Sequence, residues 1–395
     1  LTERRPIALN MPADLLWQEL DYNPVSWHVP PFPRTVLEGD ALDQAIGMIA
    51  AARRPVVLAG RGAIDEASRD ALIRFSRRIE APLATTMRAK SLFRGEDHNL
   101  GVFGTVSTPQ AAEAIMSADC IIAFGASLNF HTTAQGAFVK GKRVIQIADR
   151  ACDLGRGAVA DVPILAHPRD AAETFLHWLD EAEIAPSGFT RDLPARGLDM
   201  PPPRRPTHPR EGALDFLTTI AKLEDILPTD RVLVTDAGRW MVRSYATFSV
   251  PVPRDLVTSA SFGAIGLGMA SAIGAAAVNP GRPVVMLCGD GGFMLGNLTE
   301  FNTAVREKMD IIAIVFDDGS YGAEHIQLCE KQIDPGISLF DWPEFATVAA
   351  ALGGEGVTVR SVEDLNALPA RLAARSGDRP ILITIKLDPD HIAMW

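Results

Sequence analysis

Residues 289–322 constrain the fold of this chain more than any other segment. They read GDGGFMLGNLTEFNTAVREKMDIIAIVFDDGSYG and follow the apolar run VVMLC at residues 284–288. We interpret VVMLC as a buried parallel strand, residues 298–305 as a helix because their apolar side chains recur at helical spacing, and IIAIVF at residues 311–316 as a second buried strand. A strand, a helix and a second parallel strand in this order predict an α/β fold.

Acidic residues and glycines stand at the ends of these two strands. Asp290 lies in a glycine-rich turn after the first strand, and Asp317 and Asp318 follow the second. Because neighbouring parallel strands end at the same edge of a sheet, Asp290 and Asp318 can reach one hard cation. The glycines allow a tight turn whose N–H groups face an anion near a helix N-terminus. The pattern predicts a magnesium-diphosphate site, whereas GDG alone is more often a structural turn.

This pattern resembles the cofactor signature of thiamine diphosphate enzymes. The resemblance implies thiamine diphosphate and Mg²⁺ as cofactors, with the Asp290 carboxylate, the Asp318 side chain and the main-chain carbonyl of Ser320 as metal ligands. Many members of the family have Asn where Asp317 stands, and the loop at residues 293–300 is a residue longer than in many relatives. The cofactor-binding residues implied in this region are Gly289, Asp290, Gly291, Gly292, Asp318, Ser320, Tyr321 and Gly322.

A run of small and apolar residues at 261–278 precedes the signature. The run falls short of the roughly 20 apolar residues of a membrane-spanning helix and is crowded with glycines, so we expect a buried helix against the cofactor. In the family, an aliphatic residue of this run holds the two cofactor rings in a V shape. The resemblance gives Ile265 that role, with ordinary core packing as the alternative. It also implies that the carbonyl of Gly263 accepts a hydrogen bond from the aminopyrimidine.

The sequence RVLVTDAGRW at residues 231–240 predicts a strand that ends in an Asp-Ala-Gly turn. Members of the family use this turn near the diphosphate. Gly238 and Arg239 are therefore candidate phosphate contacts. The alternative for Arg239 is a solvated side chain at the end of a strand.

The composition is that of an ordinary globular chain, too long for one hydrophobic core. With 395 residues, of which 47% are hydrophobic and 22% charged, we expect two domains. A net charge of −11 without a lysine- or arginine-rich block argues against a nucleic-acid partner. The four cysteines lack the close pairing of zinc or redox motifs, and LTERRPIALN does not resemble a signal peptide, so we expect a cytoplasmic protein.

The order of apolar runs predicts two α/β domains, each with a doubly wound parallel sheet. The predicted strands are residues 55–63, 81–86, 120–127, 143–148, 232–235, 284–288, 311–316 and 381–387. The predicted organisation is the tail of a preceding domain with a connector at 1–34, a Rossmann-like middle domain at 35–184, a proline-rich linker at 185–210 and a diphosphate-binding domain at 211–395.

The middle domain raises the question of a bound dinucleotide. LAGRGAID at residues 58–65 lacks the full glycine spacing of a dinucleotide fingerprint. Some relatives bind FAD or ADP in this domain, but residues 125–133 do not match the flavin stretch of acetolactate synthases. FAD binding stays open and is not favoured.

Residues 4–18 resemble the closing strand and Pro-x-Asp exit of the pyrimidine-binding domain, the first of three domains in this family. We therefore expect the chain to be a portion of a longer enzyme, whose first domain carries the glutamate that protonates the aminopyrimidine. The family also implies a homodimer or homotetramer with the cofactor between subunits. The expected partner molecules are a small 2-keto acid or aldehyde, with no nucleic acid and no membrane.

Two catalytic candidates follow the acidic pair, in a segment expected to face the thiazolium. Glu324 falls where 2-keto acid decarboxylases carry a glutamate near the substrate, whereas acetolactate synthases have apolar residues there. A buried carboxyl at this position would have a raised pKa and act as an acid near neutral pH. The alternative is a helix-capping or solvated carboxylate. His325 is the second candidate, and its alternative is a packing histidine with satisfied hydrogen bonds.

The leading hypothesis is an acetolactate synthase-like enzyme that makes or breaks a carbon–carbon bond next to the carbonyl of a 2-keto acid. The first alternative is a 2-keto acid decarboxylase, or a carboligase of the benzaldehyde lyase or 2-hydroxyacyl-CoA lyase type. The second, from a different class, is a non-catalytic scaffold that binds a nucleotide.

Overall fold

The computed structural model describes residues 8–26, 28, 34–199, 209–259 and 262–392. Helices α1 to α12 are Asp40–Ala51, Glu66–Ile79, Pro109–Ser117, Pro168–Glu181, Phe216–Ile226, Met241–Thr247, Gly268–Val278, Asp290–Gly292, Leu298–Arg306, Gly322–Glu330, Phe345–Ala351 and Val362–Ala374. Strands β1 to β12 are Pro55–Ala59, Leu83–Thr85, Asn99–Val102, Cys120–Phe124, Arg143–Ala148, Val162–Leu165, Val232–Thr235, Leu256–Thr258, Val284–Gly289, Ile311–Asp317, Glu355–Val359 and Ile381–Lys386.

The first six strands form an all-parallel sheet in the order β3-β2-β1-β4-β5-β6. Every residue of the central strands β1 and β4 is buried, because helices cover both faces of the sheet. On one face, Phe75 of α2 and Phe175 of α4 pack against Phe124 of β4. The strand order reverses between β1 and β4, the position at which open α/β sheets bind ligands beyond the carboxyl ends of their strands.

The last six strands form a second all-parallel sheet in the order β11-β12-β10-β9-β7-β8. Its central strands β9 and β10 are buried almost throughout. The order reverses between β7 and β9. The prediction of two doubly wound parallel sheets is confirmed. No helix in the described part of the chain is long and apolar enough to cross a membrane.

The first part of the predicted linker is packed against the first sheet. Phe189 and Leu198 are buried in the apolar cluster on one face of that sheet. Thr108 Oγ1 donates a hydrogen bond of 2.5 Å to the carbonyl of Leu198. Residues 200–208 of the predicted linker, and residues 4–7 of the N-terminal motif, lie outside the described residues. The domain bounds stay a prediction.

The small-residue run at 261–278 is a helix only in its second part, so the prediction of one buried helix is wrong for its beginning. Helix α7 starts at Gly268. Residues 262–267 form a loop in which Gly263 and Gly266 have φ values of +79° and +86°. L-residues rarely adopt these left-handed conformations, so the glycines keep this part of the run out of the helix.

The helix after β9 begins earlier than the sequence predicts. The chain is helical from Asp290, through α8, a π-helical turn at Phe293–Asn297 and α9. Residues 293–297 are therefore not a loop. A π turn holds one more residue than a turn of α-helix, which agrees with the additional residue expected in this segment. The helix N-terminus consequently lies at the GDGG turn itself.

Candidate functional site

Four buried aspartates gather at the carboxyl edge of the second sheet. Asp236 follows β7, Asp290 follows β9, and Asp317 and Asp318 stand at the end of β10. They flank the point between β7 and β9 where the strand order reverses. Since a buried carboxylate is costly without partners, the contacts of each one indicate what this edge can hold.

Asp290 is held mainly by the segment that follows β10. Its Oδ2 accepts hydrogen bonds from the backbone N–H of Gly319 at 2.7 Å and of Ser320 at 3.1 Å. The indole Nε1 of Trp342 donates to the same oxygen at 2.9 Å. Oδ1 accepts from the N–H of Gly291 at 2.8 Å. The turns after β9 and β10 are therefore joined through one carboxylate.

Negative charge is in excess at this edge. Burial raises the pKa of Asp290 to about 8, and the neighbouring carboxylates of Asp318 and Asp317 contribute to the increase. Burial also raises the pKa of Asp317, although its ion pair with Lys386 opposes that shift. A bound cation would stabilise the ionised form of these carboxylates.

Asp318 forms a buried ion pair with Arg239. Its Oδ2 accepts from Arg239 Nη2 at 2.6 Å and from Nε at 3.1 Å, and its Oδ1 accepts from Ser320 Oγ at 2.5 Å. Arg239 Nη1 donates to the carbonyl of Pro389 at 2.7 Å. The alternative of a solvated arginine is wrong, because Arg239 is only 4% exposed. A phosphate contact by Arg239 stays a prediction.

Contacts within the chain explain two of the glycines in the signature. A Cβ on Gly291 would lie 2.5 Å from the ring of Tyr321, and one on Gly322 would lie 2.3 Å from Arg239 Nε. The sequence predicts that the N–H of Gly291 is free to face an anion. This is wrong for the structure, because that N–H donates to the Asp290 side chain. The glycines therefore let side chains of the site approach the backbone.

Trp240 fills the space between the turns after β7 and β9. A Cβ on Gly238 would lie 2.5 Å from Trp240 Nε1, and one on Gly289 would lie 3.2 Å from it. Gly238 also has a φ of +151°, which side chains rarely tolerate. Trp240 Nε1 is buried and has no hydrogen-bond partner among the described residues. An unpaired donor at this position is compatible with an anionic ligand.

Ile265 lies beside the GDGG turn, in the loop before α7. It is half-buried, so ordinary core packing does not describe its position. A Cβ on Gly292 would lie 3.5 Å from the Cβ of Ile265, which places the side chain directly against this turn. Gly263 is exposed in the same loop. The structure therefore brings Ile265 close to the Asp290 segment, while the predicted roles of Ile265 and Gly263 stay predictions.

The two catalytic candidates have different surroundings on α10. Glu324 is exposed and lines a cavity of about 380 Å³ together with Tyr321, so the expectation of a buried carboxyl does not hold for this chain. His325 is buried, with Nδ1 3.3 Å from Ser338 Oγ and Nε2 3.1 Å from Asp390 Oδ1. These contacts agree with the packing alternative for His325.

Sequence reasoning misses several residues of this edge, among them Asp236, Asn297 and Trp342. Asp236 carries a usable signal, because it follows a buried strand just as Asp290 does. Asn297 and Trp342 carry none. Their contacts depend on the π turn and on the path of the chain after α10, and neither feature has a sequence pattern of its own.

Comparison with known families identifies the chain. The family described as "Thiamine pyrophosphate enzyme, central domain" matches residues 42–175. The one described as "Thiamine pyrophosphate enzyme, C-terminal TPP binding domain" matches residues 234–385, which include the aspartates described above. The chain belongs to the thiamine diphosphate-dependent enzymes. The alternative of a non-catalytic scaffold therefore loses its support.

Several curated relatives of this thiamine diphosphate enzyme align with nearly the whole chain. A probable acetolactate synthase large subunit of Methanocaldococcus jannaschii is 26% identical, and the alignment covers 97% of this chain and 67% of the relative. The acetolactate synthase large subunit of Parasynechococcus marenigrum is 26% identical, with 96% and 62% covered. A sulfoacetaldehyde acetyltransferase of Alcaligenes xylosoxydans xylosoxydans is 28% identical, with 92% and 65% covered. The chain thus spans about two thirds of the length of these relatives.

The donor chemistry of the site fits the cation that accompanies thiamine diphosphate. No group of three or more His, Cys, Asp and Glu side chains in the described ranges forms a metal cluster. Mg²⁺ does not require such a cluster, because it usually binds one or two carboxylates together with phosphate and water oxygens. Asp290 and Asp318 supply two carboxylates at one edge, so the residues present fit a magnesium-diphosphate ligand.

Proposed function

We propose that this thiamine diphosphate enzyme is acetolactate synthase-like and uses Mg²⁺ to make or break a carbon–carbon bond next to the carbonyl of a 2-keto acid. The observation that carries the proposal is the buried group of Asp290, Asp317 and Asp318 at the ends of the neighbouring strands β9 and β10, next to the reversal point of the second sheet. The raised pKa of Asp290 supports a bound cation there. The relatives named acetolactate synthase support the reaction class.

In this proposal the cation is held by the carboxylates of Asp290 and Asp318 and by the main-chain carbonyl of Ser320. The hydrogen bonds of Ser320 support this set. Its N–H donates to Asp290 and its hydroxyl donates to Asp318, so both carboxylates hold the residue in place. Gly238, Arg239, Gly289, Gly291 and Gly292 line the proposed diphosphate site.

Thiamine diphosphate, when bound, supplies a thiazolium carbon that adds to the substrate carbonyl and a ring that accepts the electron pair released by bond cleavage. The chain supplies position and proton transfer. Ile265 packs beside the GDGG turn and would orient the cofactor rings. Glu324 lines the cavity beside Tyr321 and is the proposed residue for proton transfer to or from a substrate there.

The first test of this proposal is cofactor binding by the full-length protein. Asp290→Ala and Asp318→Ala should each abolish magnesium-dependent binding of thiamine diphosphate, because each removes an anionic oxygen ligand from a hard cation. Isothermal titration calorimetry measures the affinity. Asp225→Ala, a change at the exposed end of α5, is the control and should bind normally. Wild-type affinity in both site variants would contradict the metal assignment.

Product analysis tests the reaction class. The proposal predicts condensation products from pyruvate when thiamine diphosphate and Mg²⁺ are present. A decarboxylase, or a carboligase of the benzaldehyde lyase or 2-hydroxyacyl-CoA lyase type, is the second candidate, and the presence of a glutamate at position 324, in the lining of the cavity, favours it. Aldehyde release without an acceptor, or products formed only with an added aldehyde, would favour that second candidate.

The proposed cofactors do not include a flavin. We further propose that the protein is a homo-oligomer and is located in the cytoplasm. In the first sheet, Gly60 and Gly62 donate their N–H groups to Phe124 and Gly125 of their own chain, so these groups do not call for a dinucleotide. Two apolar side chains near the site, Phe262 and Leu295, are exposed. A second copy of the chain could bury them, which supports a homodimer or homotetramer. Four free cysteines are consistent with a cytoplasmic location.

A further inference from the structure

Asp236 and Asn297 form a buried polar joint that the proposed catalytic roles do not use. Both residues are fully buried. They connect three segments: the end of β7, the loop that carries Ile265, and the helical turn that follows Asp290. Since these segments carry different parts of the proposed site, the joint sets their relative positions.

Asp236 holds the Ile265 loop. Its Oδ2 accepts from the N–H of Gly266 at 2.8 Å, and its Oδ1 accepts from the N–H of Ala237 at 2.8 Å and, more weakly, from that of Leu267 at 3.4 Å. Gly266 is the neighbour of Ile265 in sequence. The carboxylate therefore fixes the backbone on the C-terminal side of Ile265.

Asn297 completes the joint from the π turn. Its Nδ2 donates to Asp236 Oδ2 at 3.0 Å and to the carbonyl of Gly292 at 3.1 Å. Its Oδ1 accepts from the N–H of Met269, in the first turn of α7, at 2.7 Å. One amide thus uses both donors and its acceptor to bind three segments, with no water needed.

The π turn places Asn297 where its side chain can reach both Asp236 and Met269. Gly296 precedes it, and a Cβ there would lie 2.7 Å from the carbonyl of Gly266. Gly292 lies on the other side of the joint, where a Cβ would be 3.0 Å from Asp236 Oδ2 and 3.5 Å from Ile265 Cβ. Without the additional residue of the π turn, Asn297 would be rotated by about 100° around the helix and would miss Asp236.

We propose that Asp236 and Asn297 are positioning residues that fix Ile265 relative to Asp290, and that the π turn exists to bring Asn297 into this joint. The proposal rests on the proposed function only for the role of Ile265. Because the loop is held at Gly266 and the start of α7 is held at Met269, the Ile265 side chain stays against the GDGG turn. Loss of the joint frees the loop, while Asp290 keeps its hydrogen bonds from Gly319 and Ser320 and Asp318 keeps its ion pair with Arg239.

The test compares Asn297→Ala with Asn302→Ala in the full-length protein. Asn302 lies on α9 and is exposed, with one long hydrogen bond to the carbonyl of Leu352, so it serves as the matched control. In Asn297→Ala, hydrogen exchange of the amides at residues 266–269 should accelerate by about tenfold or more, because their hydrogen-bond acceptors are lost or loosened. Exchange in the first sheet should not change. The control variant should match the wild type.

The second readout separates positioning from general destabilisation. In Asn297→Ala, turnover should fall by about tenfold or more while the affinity for thiamine diphosphate with Mg²⁺ changes by less than about threefold. The circular dichroism of the bound aminopyrimidine should change, since it reports the ring arrangement. Deletion of Gly296 should reproduce both effects, and Asn297→Ser replaces Asn297→Ala if the latter does not fold.

Unchanged exchange at residues 266–269 would overturn the proposal, and so would faster exchange with unaltered turnover and unaltered dichroism. Equal losses of affinity and turnover would also overturn it, because they would indicate collapse of the whole site. The exchange measurement needs no cofactor. If the wild type itself failed to bind thiamine diphosphate, the proposed function would be wrong, while the exchange data would still decide whether the joint holds the loop.

Discussion

The two sheets share one kind of architecture but end in very different crevices. In the first sheet, a Cβ on Gly60 would lie 2.2 Å from the carbonyl oxygen of Gly125, so the turns after β1 and β4 touch through their backbones. Gly60 N–H donates to the carbonyl of Phe124 at 2.7 Å. In the second sheet, the turns after β7 and β9 are separated by side chains and bring Asp236 and Asp290 to the edge.

A reversal of strand order therefore provides space for a ligand but does not by itself create a binding site. Both sheets offer strand ends that diverge, as the topology requires. The first crevice is closed by glycines whose N–H groups are already used. The second holds carboxylates whose charge is only partly compensated by Arg239 and Lys386. Only the second crevice therefore has the chemistry for a cation and a diphosphate.

The largest expected effect comes from forcing the closed crevice open. Gly60→Ala should destabilise the chain by about 3 kcal/mol or more, because the new methyl would overlap the backbone of Gly125 and Ala126, which cannot rotate away. Urea unfolding followed by circular dichroism measures the loss. Gly47→Ala on α1 is the control, since its Cβ meets nothing within 4 Å, and it should be neutral or slightly stabilising. A loss below 1 kcal/mol for Gly60→Ala would contradict the closed crevice.

The open crevice should show a pH-dependent affinity for magnesium. Because burial raises the pKa of Asp290 to about 8, the cation must displace a proton below that pH. The affinity should rise by up to about tenfold per pH unit between about pH 6 and pH 8 and then level off. In the same range the free energy of unfolding of the cation-free chain should fall as the pH rises. The reason is that the folded state binds the Asp290 proton more tightly than the unfolded state.

Calorimetry in two buffers of different ionisation enthalpy measures both the affinity and the proton released. Asp317→Asn should move the pH dependence to lower pH, because the Asp317 carboxylate contributes to the raised pKa of Asp290. A magnesium affinity that is flat from about pH 6 to pH 8 would show that Asp290 is ionised without a cation.

A smaller effect is expected when Asp290 loses one donor. Trp342→Phe keeps a ring that can stack on Phe340 and removes the N–H that donates to Asp290 Oδ2. Hydrogen bonds to charged groups contribute about 1.5 to 3 kcal/mol, so magnesium affinity at neutral pH should fall by about tenfold or more. Trp178→Phe, on α4 beside the first sheet, should leave the affinity unchanged. An affinity within about twofold of the wild type for Trp342→Phe would contradict this role.

The smallest effect on stability is expected at Ile265. Ile265→Ala should cost less than the roughly 2 kcal/mol at the low end for buried residues, because the side chain is only half-buried. Turnover should nevertheless fall much more than cofactor affinity, since the side chain would orient the rings rather than bind them. Thermal unfolding and steady-state kinetics measure the two quantities. Unchanged turnover would show that a residue other than Ile265 orients the cofactor rings.

The predicted strands show which part of the fold the sequence encodes locally. All eight predicted strands are strands of the structure, and they are the four inner strands of each sheet. The four that sequence reasoning misses, β3, β6, β8 and β11, are the edge strands. Inner strands are buried on both faces and read as apolar runs, whereas an edge strand is defined by the neighbour with which it pairs.

The site also has a part that local sequence patterns encode and a part that depends on contacts between distant residues. The GDGG turn, the acidic pair and the crossover that brings them to one edge could be predicted from the sequence, because a strand, a helix and a second strand in direct succession form a crossover between parallel strands. Three contacts could be seen only in the folded chain: Arg239 is buried against Asp318, Trp342 donates to Asp290, and Asn297 donates to Asp236. These contacts join residues distant in the chain, so their distances depend on packing, on a π turn and on loop paths that no local pattern specifies.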